Sequence, residues 1–427
     1  MATEKKVEDF RNEIGEPVEG GDAHDFGRTG STFGAFFNVV CIIAGTGTLG
    51  LPNTLAVGGW VSLIFIVLSA AIAWYTGNLL IECLYYKPGK RLSSYPDVGE
   101  EAFGKVGRVF VQFFHYAIML GASCLFILLT GLNLTRMFAT YDIALDMKLM
   151  TLVGGVLVLI PYSLFKNMRE VSFLSVFGAL ATLVVIVVTV VTGVIDIPNQ
   201  TDAKHDNVLW EGIPIALATI SFSYGGNVVY PHVEASMKNP KAWRKMLFSS
   251  MVTVSVFYII ISVVGYYVYG RMVESPVLNS IPQGVANVVA TAFITFHVIA
   301  AAPILLCGFS LEMENSFNIN RDHMGPIKEF VIRFSLRVLI TGILTVIAVY
   351  VPYFGDFMSL VGALANCMIV FVIPVICHLK LYGWRDRKWY EYIWMFIVIV
   401  VGLIGCILGA IDAIKSLAAH FAADAKV

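Results

Sequence analysis

Two runs rich in glycine and small polar residues interrupt otherwise apolar stretches of the sequence. The first is Ala44-Gly45-Thr46-Gly47-Thr48, and the second is Ser221-Phe222-Ser223-Tyr224-Gly225-Gly226-Asn227. A helix is expected to break at each run, because glycine costs about 1 kcal/mol in a helix interior. Unpaired backbone groups at membrane depth are tolerated only where protein or a water-filled cavity receives them. The runs therefore predict a polar site, with close helix packing through small residues as the alternative.

Such a site suits a small solute that carries both a carboxylate and an ammonium group. N–H groups exposed where a helix begins attract a carboxylate, and C=O groups exposed where a helix ends attract an ammonium. The two runs therefore predict a transporter for a solute with both charges.

The composition predicts the elements that position this site. Of the 427 residues, 57% are hydrophobic and 14% are charged, whereas an average soluble protein has roughly 25% charged residues. A hydrocarbon core of about 30 Å needs about 20 apolar residues per helix. The net charge of −1 gives no basic face for nucleic acid. We expect an all-α polytopic protein in the lipid bilayer, with eleven spans at about 31–57, 60–84, 109–137, 149–165, 171–195, 212–236, 246–269, 284–307, 330–351, 357–377 and 392–414.

The distribution of basic residues predicts the orientation. Residues 1–30 are hydrophilic and acidic and are expected to form a disordered tail. With this tail inside, 23 of the 29 Lys and Arg residues lie on the inner side, and basic residues accumulate on the cytoplasmic side of membrane proteins. The N-terminus is therefore predicted to be cytosolic. An odd number of spans then places the C-terminus outside the cytosol, with the plasma membrane and a vacuolar or endosomal membrane both open.

The spacing of the two runs predicts an internal repeat. They lie five spans apart, so residues 31–195 and 212–377 are expected to form two five-helix repeats of opposite topology, with 392–414 appended. In secondary transporters built in this way, the broken helices 1 and 6 meet near the membrane midplane.

Three stretches stand out in order along the chain: FNVVCIIAGTGTLGLP at 37–52, FSYGGN at 222–227 and YFGDFMSLVGA at 353–363. Together they resemble the amino acid/auxin permease family, in particular its fungal neutral amino acid permease and vacuolar amino acid transporter branches. The resemblance implies a leucine-transporter-type fold with eleven helices. It also implies secondary transport of neutral amino acids by alternating access, coupled to protons or to sodium.

Two positions depart from the pattern of this family. Members often carry an asparagine at the position of Cys41, where it helps to hold sodium in the sodium-coupled branch, and many carry a histidine at the position of Asn227. A thiol is a poor ligand for a hard cation. The runs and the resemblance together predict the substrate-binding residues Asn38, Cys41, Ala44, Gly45, Thr46, Gly47, Thr48, Ser221, Phe222, Ser223, Tyr224, Gly225 and Asn227.

Three titratable residues are candidates for proton coupling. His115 belongs to a polar stripe in span 3, His297 lies near another in span 8, and Glu234 lies about two turns beyond the second run. Histidine titrates near neutral pH, so we predict proton coupling, with sodium coupling or uncoupled exchange as alternatives. Each histidine could instead be neutral and bonded to a helix carbonyl, and Glu234 could instead pair with Lys241 or Arg244.

Other classes of protein are disfavoured by the sequence. The eight histidines are well separated and no HExxH or GxSxG motif occurs, so neither an enzyme nor a metal or cofactor site is expected. A nutrient sensor built on a transporter fold is the remaining alternative. Glu312 and Glu314, in the predicted loop between spans 8 and 9, are expected to be solvated.

Overall fold

The fold is described from a computed structural model of the chain, which covers residues 28, 30–164, 174–317, 319, 324–384 and 387–424. Most of the predicted acidic tail thus lies outside the described residues. The described chain is helical and contains no β-sheet. Its helices are α1 (Thr32–Ile43), α2 (Gly47–Gly58), α3 (Ser62–Leu84), α4 (Tyr95–Ala139), α5 (Met147–Leu164), α6 (Leu174–Asp196), α7 (Ile213–Ser223), α8 (Tyr230–Ser236), α9 (Trp243–Tyr269), α10 (Val285–Ser316), α11 (Pro326–Tyr350), α12 (Phe354–Val361), a π-helical stretch (Gly362–Val372), α13 (Ile373–Tyr382) and α14 (Trp389–Asp424).

The predicted membrane spans correspond to these helices. Among the described residues, nine helices are long and apolar enough to cross a membrane, and the pair α1–α2, bent by 47°, makes a tenth. The remaining predicted span, 212–236, consists of α7 and α8, which are too short to cross separately. The expectation of an all-helical membrane protein is confirmed, and both glycine-rich runs break their helices.

Three helices extend beyond the apolar stretches that predicted them. Helix α4 begins at a capping box formed by Ser94 and Asp97, and its backbone is interrupted at Gly104, where φ is 68°. Helices α10 and α14 end at Ser316 and Asp424, well past the predicted ends at 307 and 414. Charged residues in these extensions lower the mean hydropathy, which is why the apolar windows excluded them.

The expectation that Glu314 is solvated was wrong. Its carboxylate is buried and lies 3.4 Å from the guanidinium of Arg337. Arg337 also donates to the backbone carbonyl of Tyr162 at 2.6 Å. A buried charge requires such a partner, and these contacts tie together α5, α10 and α11.

The broken segments lie at the centre of the helix bundle. Helix α1 packs against α6 and α9, and α2 packs against α7 and α9. The peripheral helices α5, α11 and α14 instead leave apolar side chains exposed, including Val156, Ile343 and Ile407. Apolar exposure of this kind suits contact with lipid.

Candidate substrate site at the two helix breaks

The first break comprises residues 44–46, between α1 and α2. The N–H groups of Gly45, Thr46 and Gly47 donate to no hydrogen bond among the described residues. Since the first N–H groups of a helix have no partner within the helix, they remain available at the start of α2. The carbonyl of Ala44 accepts a hydrogen bond from the Thr182 hydroxyl at 2.7 Å. Helix α6 thus supports the break from behind.

The second break comprises residues 224–229, between α7 and α8. Four turn-type hydrogen bonds replace the helical pattern there, and one runs from the N–H of Gly225 to the carbonyl of Phe222 at 3.0 Å. The Asn366 side-chain amide donates to the carbonyl of Ser221. Its Oδ1 is buried and has no hydrogen-bond partner among the described residues, and a Cβ added to Gly225 would lie 2.8 Å from that atom. The π-helical stretch therefore supports the second break, and wide π turns are frequent at functional sites.

The two breaks are in direct contact. A Cβ on Gly47 would lie 2.7 Å from both the Cα and the Oγ of Ser223. The Tyr258 hydroxyl on α9 lies 2.6 Å from the carbonyl oxygen of Ile43 and 2.6 Å from that of Ser223. The last residues of α1 and α7 thus converge on one tyrosine.

A cavity of about 40 Å³ lies at this junction. A water molecule needs roughly 10–15 Å³ by a comparable measure, so the cavity has room for a few waters. None of the described residues that line it is charged. They are Ile42, Ile43, Thr46 and Gly47 from the first broken segment, Phe222, Gly225 and Val228 from the second, Ile118, Ala122 and Phe126 from α4, and Ala301, Ile304 and Leu305 from α10.

His297 lies beside the first break. Its Nδ1 is 2.9 Å from the carbonyl oxygen of Gly178, so this nitrogen carries the hydrogen and donates. Its Nε2 is buried and has no partner among the described residues. A Cβ on Gly45 would lie 3.0 Å from Nε2. The free nitrogen lone pair is therefore directed towards the break.

His115 is buried outside the group of residues that line the cavity. Its Nε2 lies 3.9 Å from a carboxylate oxygen of Glu312, and its ring makes an edge contact with Tyr95, with centroids 6.2 Å apart. The structure therefore brings one of the two candidate histidines, His297, to the break.

Glu234 is fully buried at one end of the bundle, which we call the Arg91 end. Its carboxylate accepts hydrogen bonds from Arg91 at 2.8 Å and from the Tyr85 hydroxyl at 2.5 Å. Arg91 also donates to the carbonyl of Pro231 at 2.5 Å. The Glu234 partner is thus Arg91, in the connection between α3 and α4, rather than Lys241 or Arg244.

Backbone hydrogen bonds join α1 to α8 at the same end. The N–H of Gly30 donates to the carbonyl of Ser236 at 2.8 Å, and the N–H of Lys238 donates to the carbonyl of Gly30 at 2.8 Å. Ser31 follows Gly30 directly and caps α1 through the N–H of Gly34. Together with the Arg91–Glu234 pair, these contacts hold α1, α8 and the connection between α3 and α4 together at the Arg91 end.

A larger cavity of about 400 Å³ lies at the opposite end of the bundle, which we call the Asp356 end. The Asp356 carboxylate accepts hydrogen bonds from Ser416 at 2.8 Å and His420 at 2.6 Å, both on α14. Thr219 lines this cavity and lies one helical turn from Phe222, which lines the small cavity. Helix α7 therefore contributes to the lining of both cavities.

The predicted residues of the first segment are partly in the cavity lining. Thr46 and Gly47 line the cavity and Gly45 faces His297. The others lie outside the lining: Asn38 is half-buried on α1, Cys41 is buried with its sulfur beside Gly178 on α6, Ala44 is bonded to Thr182, and Thr48 is buried on α2.

The second segment divides in the same way. Phe222 and Gly225 line the cavity. The others support it or point elsewhere: Ser223 packs on Gly47, Ser221 accepts from Asn366, the Tyr224 hydroxyl lies 3.0 Å from Ser255 on α9, and the Asn227 amide lies 3.5 Å from the carbonyl of Ile369.

Sequence reasoning missed the supporting residues on other helices. Tyr258, Asn366 and Thr182 each bind a backbone carbonyl at or next to a break. Asn366 stands as a single amide in an apolar run, which is a usable signal. Tyr258 and Thr182 have no comparable signal, because hydroxyl-bearing residues are common in membrane helices.

Comparison with known proteins identifies the family. A family model described as "Transmembrane amino acid transporter protein" matches residues 28–415. The chain belongs to this family. This amino acid transporter is 30% identical over 397 residues to the amino acid transporter AVT1I of Arabidopsis thaliana, covering 90% of this chain and 96% of that protein. It is 27% identical over 391 residues to AVT1J of the same plant, covering 90% and 91%.

Solved structures of transporters share the fold of this amino acid transporter. MhsT in complex with L-phenylalanine gives a TM-score of 0.59 at 11% identity, covering 89% of this chain and 98% of MhsT. Mhp1, a nucleobase-cation-symport-1 family transporter in a closed conformation with bromovinylhydantoin, gives 0.54 at 13% identity, covering 92% and 94%. The leucine-transporter-type fold expected from the family resemblance is confirmed. The relatives are named as transporters, in agreement with the expectation of a non-enzymatic protein.

Proposed function

We propose that this protein carries a neutral amino acid across its membrane by alternating access, driven by protons. The observation that carries the proposal is the contact between the two breaks around a cavity without charged side chains. MhsT is described in complex with L-phenylalanine, which supports an amino acid as the substrate of a transporter with this fold.

The backbone at the breaks supplies groups for both charges of the substrate. The free N–H groups of residues 45–47 lie at the positive end of α2 and attract the carboxylate. The carbonyl ends of α1 and α7 carry partial negative charge and attract the ammonium. Apolar side chains such as Ile118 and Ile304 then surround the side chain of a neutral amino acid.

The arrangement of cavities fits one state of an alternating-access cycle. The Arg91 end is closed by a buried ion pair and backbone hydrogen bonds, whereas the Asp356 end holds a cavity of about 400 Å³. With the N-terminus in the cytosol, this is a state that receives substrate from the extracytosolic side. The inverse state requires the Arg91–Glu234 pair to separate.

His297 is the residue that best fits the role of proton carrier. The free lone pair of its Nε2 faces the first break, while Nδ1 is held by Gly178 on α6. Protonation of Nε2 would place a positive charge beside the break, where it adds to the attraction of α2 for a carboxylate. Substrate and proton would then bind more tightly together than alone, which is the requirement for coupling.

The test is uptake of a panel of neutral amino acids into proteoliposomes, in choline or sodium buffer. Lowering the external pH by about two units from neutral is expected to drive accumulation of the substrate, since histidine titrates near neutral pH. A protonophore is expected to abolish this accumulation. Accumulation that requires sodium at symmetric pH would contradict proton coupling. Exchange without accumulation would indicate an uncoupled exchanger, and substrate binding without any transport would indicate a sensor.

Replacing His297 separates the two histidine candidates. The variant His297→Gln is expected to lose accumulation driven by the pH gradient while it still exchanges internal for external substrate. His115→Gln is the comparator, and it is expected to keep the accumulation because His115 lies away from the break. Retained coupling in His297→Gln together with its loss in His115→Gln would reverse this assignment.

The proposed orientation has its own test. We expect an N-terminal tag to be cytosolic and a C-terminal tag to be extracytosolic, because basic residues concentrate on the side of the N-terminus. Protease protection of both tags in sealed membrane vesicles measures this. Protection of both ends from the same side would contradict the odd number of spans.

A further inference from the structure

Tyr258 connects the two breaks through a single hydroxyl group. The residue is fully buried on α9, and its ring makes an edge contact with that of Tyr224, with centroids 5.2 Å apart. Its oxygen lies 2.6 Å from the carbonyl oxygens of Ile43 and Ser223. These are the last residues of α1 and α7, so two helices end at this one oxygen atom.

Two helix C-termini that converge form a natural place for a cation. Each C-terminus carries a partial charge equivalent to roughly −0.5 elementary charge. The two contacts of Tyr258 at 2.6 Å are ordinary hydrogen-bond distances for a hydroxyl group. They place the phenolic oxygen where both helix ends direct a carbonyl oxygen, which is the kind of ligand that a hard cation binds.

A phenol compensates the negative charge of the two carbonyl oxygens less completely than a cation would. One hydroxyl has a single hydrogen, so it donates to one carbonyl at a time. The second carbonyl oxygen then faces the phenolic oxygen without a proton between them. The hydroxyl holds the two helix ends together but leaves part of their negative charge uncompensated.

We propose that the Tyr258 hydroxyl occupies the position of a monovalent cation between the ends of α1 and α7, and thereby makes the junction of the two breaks independent of sodium. Tyr258 is a positioning residue, since it is absent from the cavity lining and acts on the backbone that forms it. The inference depends on the proposed transport function only where it explains why transport would not be coupled to sodium. The site itself can be tested without substrate.

The test is the effect of cations on the melting temperature of purified Tyr258→Phe. In choline chloride this variant is expected to melt below the wild type, because the two carbonyl oxygens lose their only donor at this place among the described residues. Sodium or lithium chloride at the same ionic strength is expected to raise its melting temperature saturably, by at least about 2 °C, since a ligand stabilises the state that binds it. The wild type is expected to melt at the same temperature in all three salts.

Tyr382→Phe is the matched control. The Tyr382 hydroxyl also donates to a backbone carbonyl on another helix, that of Glu82 at 2.9 Å, but at a distance from the breaks. Its loss is expected to produce no response to sodium or lithium. A response in Tyr258→Phe alone therefore reports a cation at the junction rather than the general loss of a phenol.

The possible outcomes decide the proposal. A sodium response in the wild type, or none in Tyr258→Phe, would overturn it. If Tyr258→Phe is monodisperse only when sodium or lithium is present throughout purification, the proposal is supported. If the variant aggregates in every salt, the proposal is contradicted. Because melting requires no substrate, failure of amino acid uptake by the wild type would reject the proposed function without affecting this result.

Discussion

Replacing Gly47 with alanine is expected to weaken substrate binding by roughly 10- to 100-fold. The added carbon would lie 2.7 Å from the Cα and Oγ of Ser223, and the Cα belongs to backbone that cannot rotate away. Overpacking of this kind costs typically about 1–3 kcal/mol, and each 1.4 kcal/mol corresponds to about tenfold in affinity. The two breaks must separate to make room, and the groups that hold the substrate then move apart. Equilibrium binding of a radiolabelled substrate to the purified variant measures the effect.

Gly342→Ala is the matched control for this prediction. The same carbon added to Gly342 on α11 would meet no described atom within 4 Å, so binding is expected to remain that of the wild type. Both variants must elute as monodisperse protein for the comparison to hold. Unchanged affinity in well-folded Gly47→Ala would place the substrate site away from the breaks.

Removing Arg91 is expected to open the Arg91 end of the bundle. The variant Arg91→Gln leaves the Glu234 carboxylate fully buried with Tyr85 as its remaining hydrogen-bond donor in the described chain. Breaking one side of a buried pair typically costs about 3–5 kcal/mol, and here the cost falls on the closed state. The open state, in which water reaches the carboxylate, becomes favoured by roughly 100- to 4,000-fold.

Labelling of a cysteine placed at Ile42 measures this opening, in a background without the native cysteines. Ile42 lines the small cavity, so an impermeant thiol reagent applied at the Arg91 end is expected to reach it at least about tenfold faster in Arg91→Gln. The double variant Arg91→Gln with Glu234→Gln is expected to recover much of the slow labelling, because no uncompensated charge remains. Equal rates in all three proteins would show that the ion pair does not control access.

The sequence predicted the breaks because their cause is local. Glycine and proline weaken a helix wherever they occur, so the runs at 44–48 and 221–227 indicate broken helices without any knowledge of their neighbours. The membrane spans are similarly local, since hydropathy averages over one segment. The ends of α10 and α14 were missed because the chain remains helical after its apolar stretch has ended.

The functional partners could not be predicted because they depend on tertiary contacts. Glu234 and Arg91 are 143 positions apart, and Tyr258 and Ile43 are 215 positions apart. The choice between His115 and His297 depends on the rotation of α4 and α10 about their axes, which the sequence leaves open for helices buried on several sides. The glycine-rich runs located the broken segments, but the residues that support them from other helices required the structure.

The backbone contacts of Gly30 also determine how the protein can move. They connect the start of α1 with the end of α8, so these two half-helices are expected to move together as one rigid unit. Opening the Arg91 end then requires either that both half-helices swing together or that two backbone hydrogen bonds break first. A displacement of Gly30 is therefore expected to reach α8 through these two hydrogen bonds, although α8 begins 200 positions later in the chain. Gly30 is thereby coupled to the half-helix that carries Glu234.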